Sequence, residues 1–286
     1  GVDALKACTT GTGNVAIGRR ALDAVTDSSL NVAVGQSALG ANTADNNTAL
    51  GYIALGANTT GTQNVAVGAY ALDANTTGGD NTALGYNSLG ANTTASNNTA
   101  VGYNCLDANT TGANNTSVGE ASMSDNTTGD NNSGFGVMSL LRNTTADNNT
   151  AYGYSSLKEN TTGSECVALG AYALDANTTG SNNSAVGVNA LGANTTASNN
   201  TAMGLSALLV NTTGHSNVAV GAFALDANTT ASNNVAVGKS SLSANTTGTQ
   251  NNALGVQALD ANTTGNYNNA FGVNALSENT TGSNNT

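Results

Sequence analysis

The chain has no proline and no tryptophan, one histidine, three cysteines and only six lysines and arginines among 286 residues. Each scarcity removes a class of answer. Six cations within a net charge of −11 cannot neutralise a run of phosphates, which excludes a nucleic-acid partner. They also cannot draw the chain onto an anionic membrane. No apolar run approaches the roughly 18 residues that a transmembrane helix needs, so no membrane insertion is expected. Residues 1–13 lack the basic and apolar regions of a signal peptide. The expectation is a removed leader or a piece of a longer chain, and the ending "SNNT" predicts further repeats beyond it.

The lone His215, in "TTGHSN", stands where other copies of the same stretch carry Ser, Thr, Ala or Asp. It reads as a surface substitution rather than a catalytic base. Cys8, Cys105 and Cys166 are odd in number and far apart, so they fit neither a disulfide framework nor a metal site. The chain is therefore expected to be no enzyme, with no cofactor and no metal.

Leu, Val, Ile and Phe make up 49 of the 286 residues, below the roughly 20% at which disorder becomes a strong expectation. Disordered chains usually compensate with charge and proline, yet charged residues are 8% and proline is absent. What fills the chain instead is repetition. Units begin at 14, 31, 47, 64, 81, 98, 115, 132, 149, 166, 183, 200, 217, 234, 251 and 268. Each has 17 residues except the second, which lacks one near "NTADN". The unit reads N-T/V-A-V-G-x-x-A-L-x-A-N-T-T-G-S-N, and its places are numbered 1 to 17 below. Residues 1–13 form a partial or atypical first coil, 14–284 the repeats, and 285–286 the start of another.

Position 4 is apolar in every unit, position 5 is Gly, position 8 is Ala, Ser or Cys, and position 9 is Leu except for Met123. Two helices do not fit in 17 residues, and Gly with Asn-Thr-Thr would break both. A short strand over "NTAVG" does fit, with a second strand expected over positions 7–10 that turns Leu inward. The reading places positions 4 and 9 in the core. A single coil cannot bury its apolar face, but stacked coils can. The predicted class is all-β, a parallel β-solenoid (β-roll) of about sixteen 17-residue coils. At a strand spacing of about 4.8 Å it would extend on the order of 77 Å. Asn at positions 1, 12 and 17 is expected to stack as amide ladders.

"NNTAVG" (97–102), "SNVAVG" (216–221) and "GNVAIG" (13–18) resemble the N-S-V-A-I-G motif of YadA-like trimeric adhesin heads. "NTTGSNNSAVGVNALGANTTASNNTAMG" is similar to repeats that precede an intramolecular chaperone domain in some tail-fibre and surface proteins. The resemblance spans residues 14–286. It implies a left-handed parallel β-roll, often trimeric, serving as an adhesive or spacer at the cell surface or outside the cell.

The Asn-x-Thr/Ser pattern is the sharpest chemical signal. Asn58, Asn75, Asn92, Asn109, Asn126, Asn143, Asn160, Asn177, Asn194, Asn211, Asn228, Asn245, Asn262 and Asn279 at position 12 match the N-glycosylation acceptor. So do Asn46, Asn97, Asn114, Asn131, Asn148, Asn182, Asn199 and Asn284. The competing explanation is a corner ladder, whose buried amides carry no sugar. Asp73, Asp107, Asp175, Asp226 and Asp260 recur at position 10. The calcium-binding G-G-x-G-x-D repeat is absent, which leaves only a weak surface Ca²⁺ site between acidic turns to consider.

Three functions remain in competition. The first is a structural rod of an extracellular filament, fibre or adhesin that displays a repeated Asn/Thr-rich surface. Small residues at positions 3 and 8, such as Ala66, Ala71, Ala83 and Ser88, suggest close approach of another chain, hence a homotrimer or fibre. Surface glycans or host-cell receptors are the expected outside partners. The second is a ligand-binding solenoid, ice-binding or glycan-binding, although no Thr-x-Thr strand recurs. The third, a glycosidase-like β-helix, needs a cluster of carboxylates that is not seen.

Overall fold

The computed structural model describes all 286 residues, Gly1–Thr286. They form two compact units, residues 1–146 and 147–286. Each is a parallel β-solenoid built from three-residue strands, one per coil. The first unit runs from β1 (Val15–Ile17) to β8 (Ser133–Phe135), the second from β9 (Thr150–Tyr152) to β16 (Asn269–Phe271). The register is that of the repeat: Val65 lies opposite Thr82, Ala66 opposite Ala83 and Val67 opposite Leu84. Across the shortened second coil the register holds, with Val32 opposite Thr48. The missing residue is therefore absorbed in the polar arc and not in the strand. Residues 1–13 follow the same frame, and the Leu5 amide donates to the Ala21 carbonyl at 3.0 Å. No helix is long and apolar enough to cross a membrane.

The core differs from the expectation at one position. Leu at position 9 is inside, and Leu72, Leu89 and Leu106 have no exposed surface. Position 4 is not inside. Ile17 is 60% exposed, Leu50 47% and Leu84 46%. Because side chains alternate across a strand, inward and outward positions are set together. Position 3 faces in, so positions 2 and 4 must face out. The interior of a 17-residue coil has room for one Leu and two small side chains. Ala66, Ala83 and Ala100 at position 3, with Ala71, Ser88 and Cys105 at position 8, fill the space beside the Leu stack. The small residues thus mark a narrow interior and not a face approached by another chain. Apolar identity at position 4 reflects what an exposed pleated sheet prefers, since apolar residues are common on surfaces. Leu84→Lys is accordingly expected to move the urea-unfolding free energy by less than about 0.5 kcal/mol.

The expected second strand is absent as well. Positions 7 and 9 adopt left-handed backbone, as at Tyr70 (φ 59°) and Leu72 (φ 52°). Such a conformation costs an L-residue roughly 1–2 kcal/mol. Bonds to adjacent coils hold it in place: the Tyr70 amide donates to Tyr52 O at 3.0 Å and the Leu72 amide to Ser88 O at 3.0 Å. Burial of the side chain, about 1.5–3 kcal/mol, offsets the strain at position 9. Leu is therefore selected for volume where conformation alone would favour Gly or Asn.

Candidate functional surface

The polar arc consists of amide ladders. At position 12, within each compact unit, an Asn that follows another donates one Nδ2 hydrogen to the Asn of the preceding coil, as Asn92 does to Asn75 Oδ1 at 2.9 Å. The other goes to the carbonyl three residues on, Ala95 O at 3.1 Å. Position 1 runs in parallel. The Asn98 backbone amide donates to Asn81 Oδ1 at 3.0 Å, and its Nδ2 donates to Gly112 O at 2.9 Å. That same carbonyl accepts Asn109 Nδ2 at 2.9 Å. Both lone pairs of the position-15 carbonyl are thus used, and a buried corner carries no unpaired amide.

This geometry corrects the reading of position 12 as a glycan acceptor. Asn58, Asn75, Asn92, Asn109, Asn126, Asn143, Asn160, Asn177, Asn194, Asn211, Asn228, Asn245 and Asn262 have no exposed surface. Asn279, on the last coil, is half-buried and makes the same two bonds, to Asn262 Oδ1 and Gly282 O. A sugar on Nδ2 would remove a hydrogen already committed and would need space that the next coil fills. The second set of sequons behaves differently. Asn97, Asn114, Asn131 and Asn199 at position 17 are exposed. Their left-handed backbone (φ 62°, 59°, 58° and 63°) turns the arc back toward the strand. Thr60, Thr77, Thr94 and Thr111 at position 14 are exposed too. Their position-13 neighbours point back, with Thr76 Oγ1 donating to Thr93 O at 3.0 Å.

His215 is exposed, its ring Nδ1 lies 3.3 Å from the Oγ of its neighbour Ser216, and its backbone amide donates to Ser232 Oγ at 3.0 Å. No three His, Cys, Asp or Glu side chains converge as a metal cluster. Cys105 replaces a small residue in the core and donates to Ser117 O at 3.2 Å. Burial pushes its thiol up to about 11. Cys166 takes the place of a ladder Asn, its amide donating to Asn149 Oδ1 and its thiol to Gly180 O. Burial raises this thiol as well. Only thiolates alkylate, so one equivalent of maleimide is expected to enter the folded chain quickly. It should map to the half-buried Cys8, with Cys105 and Cys166 reacting only in denaturant.

The position-10 carboxyls of Asp73, Asp107, Asp175 and Asp226 are raised above their ordinary value, chiefly by burial. The Ser124 hydroxyl, 2.7 Å from Asp107 Oδ1, partly opposes this. A carboxyl raised on folding holds its proton more tightly in the folded chain. Its contribution is therefore present below the ordinary carboxylate value and lost as pH rises through the raised one. Melting temperature is expected to fall as pH climbs through the carboxylate range.

The outward sheet face carries the apolar surface. Beside position 4, four tyrosines climb the first unit. Tyr52 and Tyr70 have ring centroids 5.4 Å apart, Tyr70 and Tyr86 5.8 Å, and Tyr86 and Tyr103 5.5 Å in a stacked pair. Tyr154 and Tyr172 repeat the contact in the second unit at 5.3 Å. Variation at positions 6 and 7 hid this ladder in the sequence. It emerges only when units are aligned and rings at position 6 or position 7 are counted as one column. No known protein family, characterised protein or solved structure matches the chain.

Proposed function

We propose that the chain is a structural segment of an extracellular or cell-surface filament, fibre or adhesin, and that it works by presenting one outward surface coil after coil. The observation carrying this reading is how the polar groups are used. The Asn ladders spend their hydrogen bonds inside the stack, whereas Leu50 and Leu84 on the outward sheet face, and Tyr86 and Tyr103 just past the Gly that follows each strand, are left exposed. Contiguous apolar patches beyond a few hundred Å² are rare on monomers and mark interfaces. Self-association, as a homotrimer or fibre, then rests on this face and not on the small residues at positions 3 and 8. A weak contact repeated at a fixed rise gains through multivalency. Sedimentation of the whole chain over a concentration series tests the reading. Association is expected, and the double variant Leu50→Lys/Leu84→Lys should weaken it while melting like the parent. A chain that stays monomeric at high concentration overturns it.

The tyrosine column favours glycan binding as a second reading, because aromatic faces pack against sugar rings. Saturable oligosaccharide binding that is lost in Tyr86→Ala would support it. Binding unchanged by that substitution would remove it.

A further inference from the structure

The second coil is one residue short, and the loss falls where every complete NTT coil places its outward Thr of position 14. The chain passes from Thr43 directly to Ala44 and Asp45. The result is an open cavity of about 330 Å³ lined by Asp27, Ser28, Thr43, Asp45, Thr60 and Thr62, together with Ala44. Its polar side chains offer only oxygen, and two of them are carboxylates. No Lys or Arg lines it.

Two further observations mark incomplete bonding around the notch. Ser28 is 5% exposed, yet its Oγ has no hydrogen-bond partner. A buried hydroxyl left unpaired is costly and asks for a partner. The main-chain ladder also breaks at this place. Position-13 amides donate to the next coil from Thr9 to Thr26, from Thr43 to Thr59 and from Thr59 to Thr76, but no such bond runs from Thr26 to Thr43. The Thr26 hydroxyl turns to Asp27 Oδ1 instead, at 3.1 Å. Asp45 Oδ1 accepts the Ser29 amide at 2.6 Å. Each carboxylate keeps its second oxygen free of hydrogen bonds.

We propose that the shortened second coil forms a binding site for a hard divalent cation, calcium foremost, held by Asp27 and Asp45 with hydroxyl and main-chain oxygens completing the shell. Calcium accepts six to eight oxygens in irregular arrangements, whereas magnesium demands near-octahedral geometry and keeps its water. A wide notch with mixed hydroxyl, carbonyl and carboxylate oxygens suits the former. Bridging Asp27 on the first coil to Asp45 on the second would reconnect the coils where the ladder is interrupted.

Isothermal titration of the whole chain with calcium chloride tests this. One ion per chain is expected, with Kd on the order of 10⁻⁴–10⁻³ M, the range of extracellular modules, and with weaker binding of magnesium. Asp27→Asn and Asp45→Asn should each weaken binding at least tenfold. Asn keeps the Oδ1 acceptor that Asp45 offers Ser29, so both variants should melt like the calcium-free parent, and calcium should raise the melting temperature of the parent alone. Inserting a Thr between Thr43 and Ala44 restores the full coil and should abolish binding. Asp130→Asn, at the position equivalent to Asp45 in a complete coil, should leave it unchanged. Absence of saturable binding, or binding unaltered in the two Asn variants, overturns the proposal.

Discussion

Leu89→Asp is expected to unfold the coils on either side of position 89 while leaving distant coils closed. Leu89 has no exposed surface and is stacked in sequence between Leu72 and Leu106. The small buried residues of these coils, Ala83, Ala100, Ser88 and Cys105, carry no positive charge to neutralise a carboxylate. An uncompensated buried charge costs roughly 3–5 kcal/mol. Leu89→Ala removes the side chain without adding charge and should cost about 2–5 kcal/mol through the cavity it leaves. Because each repeat contacts only its neighbours, the damage is local. Hydrogen exchange should therefore accelerate at the amides of Leu72, Leu89 and Leu106, with those of Leu22 and Leu39, bonded to Ala38 O and Ala54 O, protected as before. Equal exchange at all five, or an unchanged urea midpoint, would place the core elsewhere.

The second large effect concerns Gly at position 5. Gly102 sits at φ +147°, and a Cβ there would lie against the Gly119 carbonyl oxygen and 2.7 Å from its carbon. That neighbour is backbone of the next coil and is held by its own bond, Gly119 N to Val101 O at 2.8 Å. It cannot step aside. Strained backbone alone costs an L-residue about 1–3 kcal/mol, and the clash adds to it, so Gly102→Ala should lose on the order of 3 kcal/mol or more. Gly272 provides the internal control. Its φ is +127°, but an added Cβ meets nothing within 4 Å. Gly272→Ala should show the strain without the clash and so a clearly smaller loss. Equal losses in the two variants would assign the effect to φ alone.

Much of this architecture is legible in the sequence because a repeat averages away accident. Leu at position 9 and Gly at position 5 survive in unit after unit while positions 6 and 7 drift, and that contrast separates interior from surface. The ladder role of Asn at positions 1 and 12 follows from the same logic, whereas the ladder expected at position 17 does not form, because Asn97 and Asn114 there are exposed. Position 4 misleads because apolar identity alone does not distinguish a buried residue from one on an exposed sheet face. The deciding signal was the uniform smallness of position 3, which reads correctly once a coil of 17 residues is seen to enclose only a narrow interior. The left-handed turns at positions 7 and 9 leave no trace at Leu72, where volume overrides conformational preference. Left-handed backbone does leave a trace at position 7, where Asn87 and Asn104 carry positive φ, and at position 17, where Asn97 and Asn114 do. The cavity at the second coil is announced only by a missing residue, and a deletion says nothing of what its neighbours then leave unpaired.

The Asn-Thr-Thr arc is scaffold at position 12 and surface at positions 14 and 17. Exchange of individual Asn side-chain amide hydrogens, followed by NMR, tests it most directly. Asn92 and Asn109 donate both Nδ2 hydrogens within the stack, so their amides should exchange far more slowly than that of the exposed Asn97. Exchange at Asn92 and Asn109 as fast as at Asn97, or a sugar found on either, would contradict it.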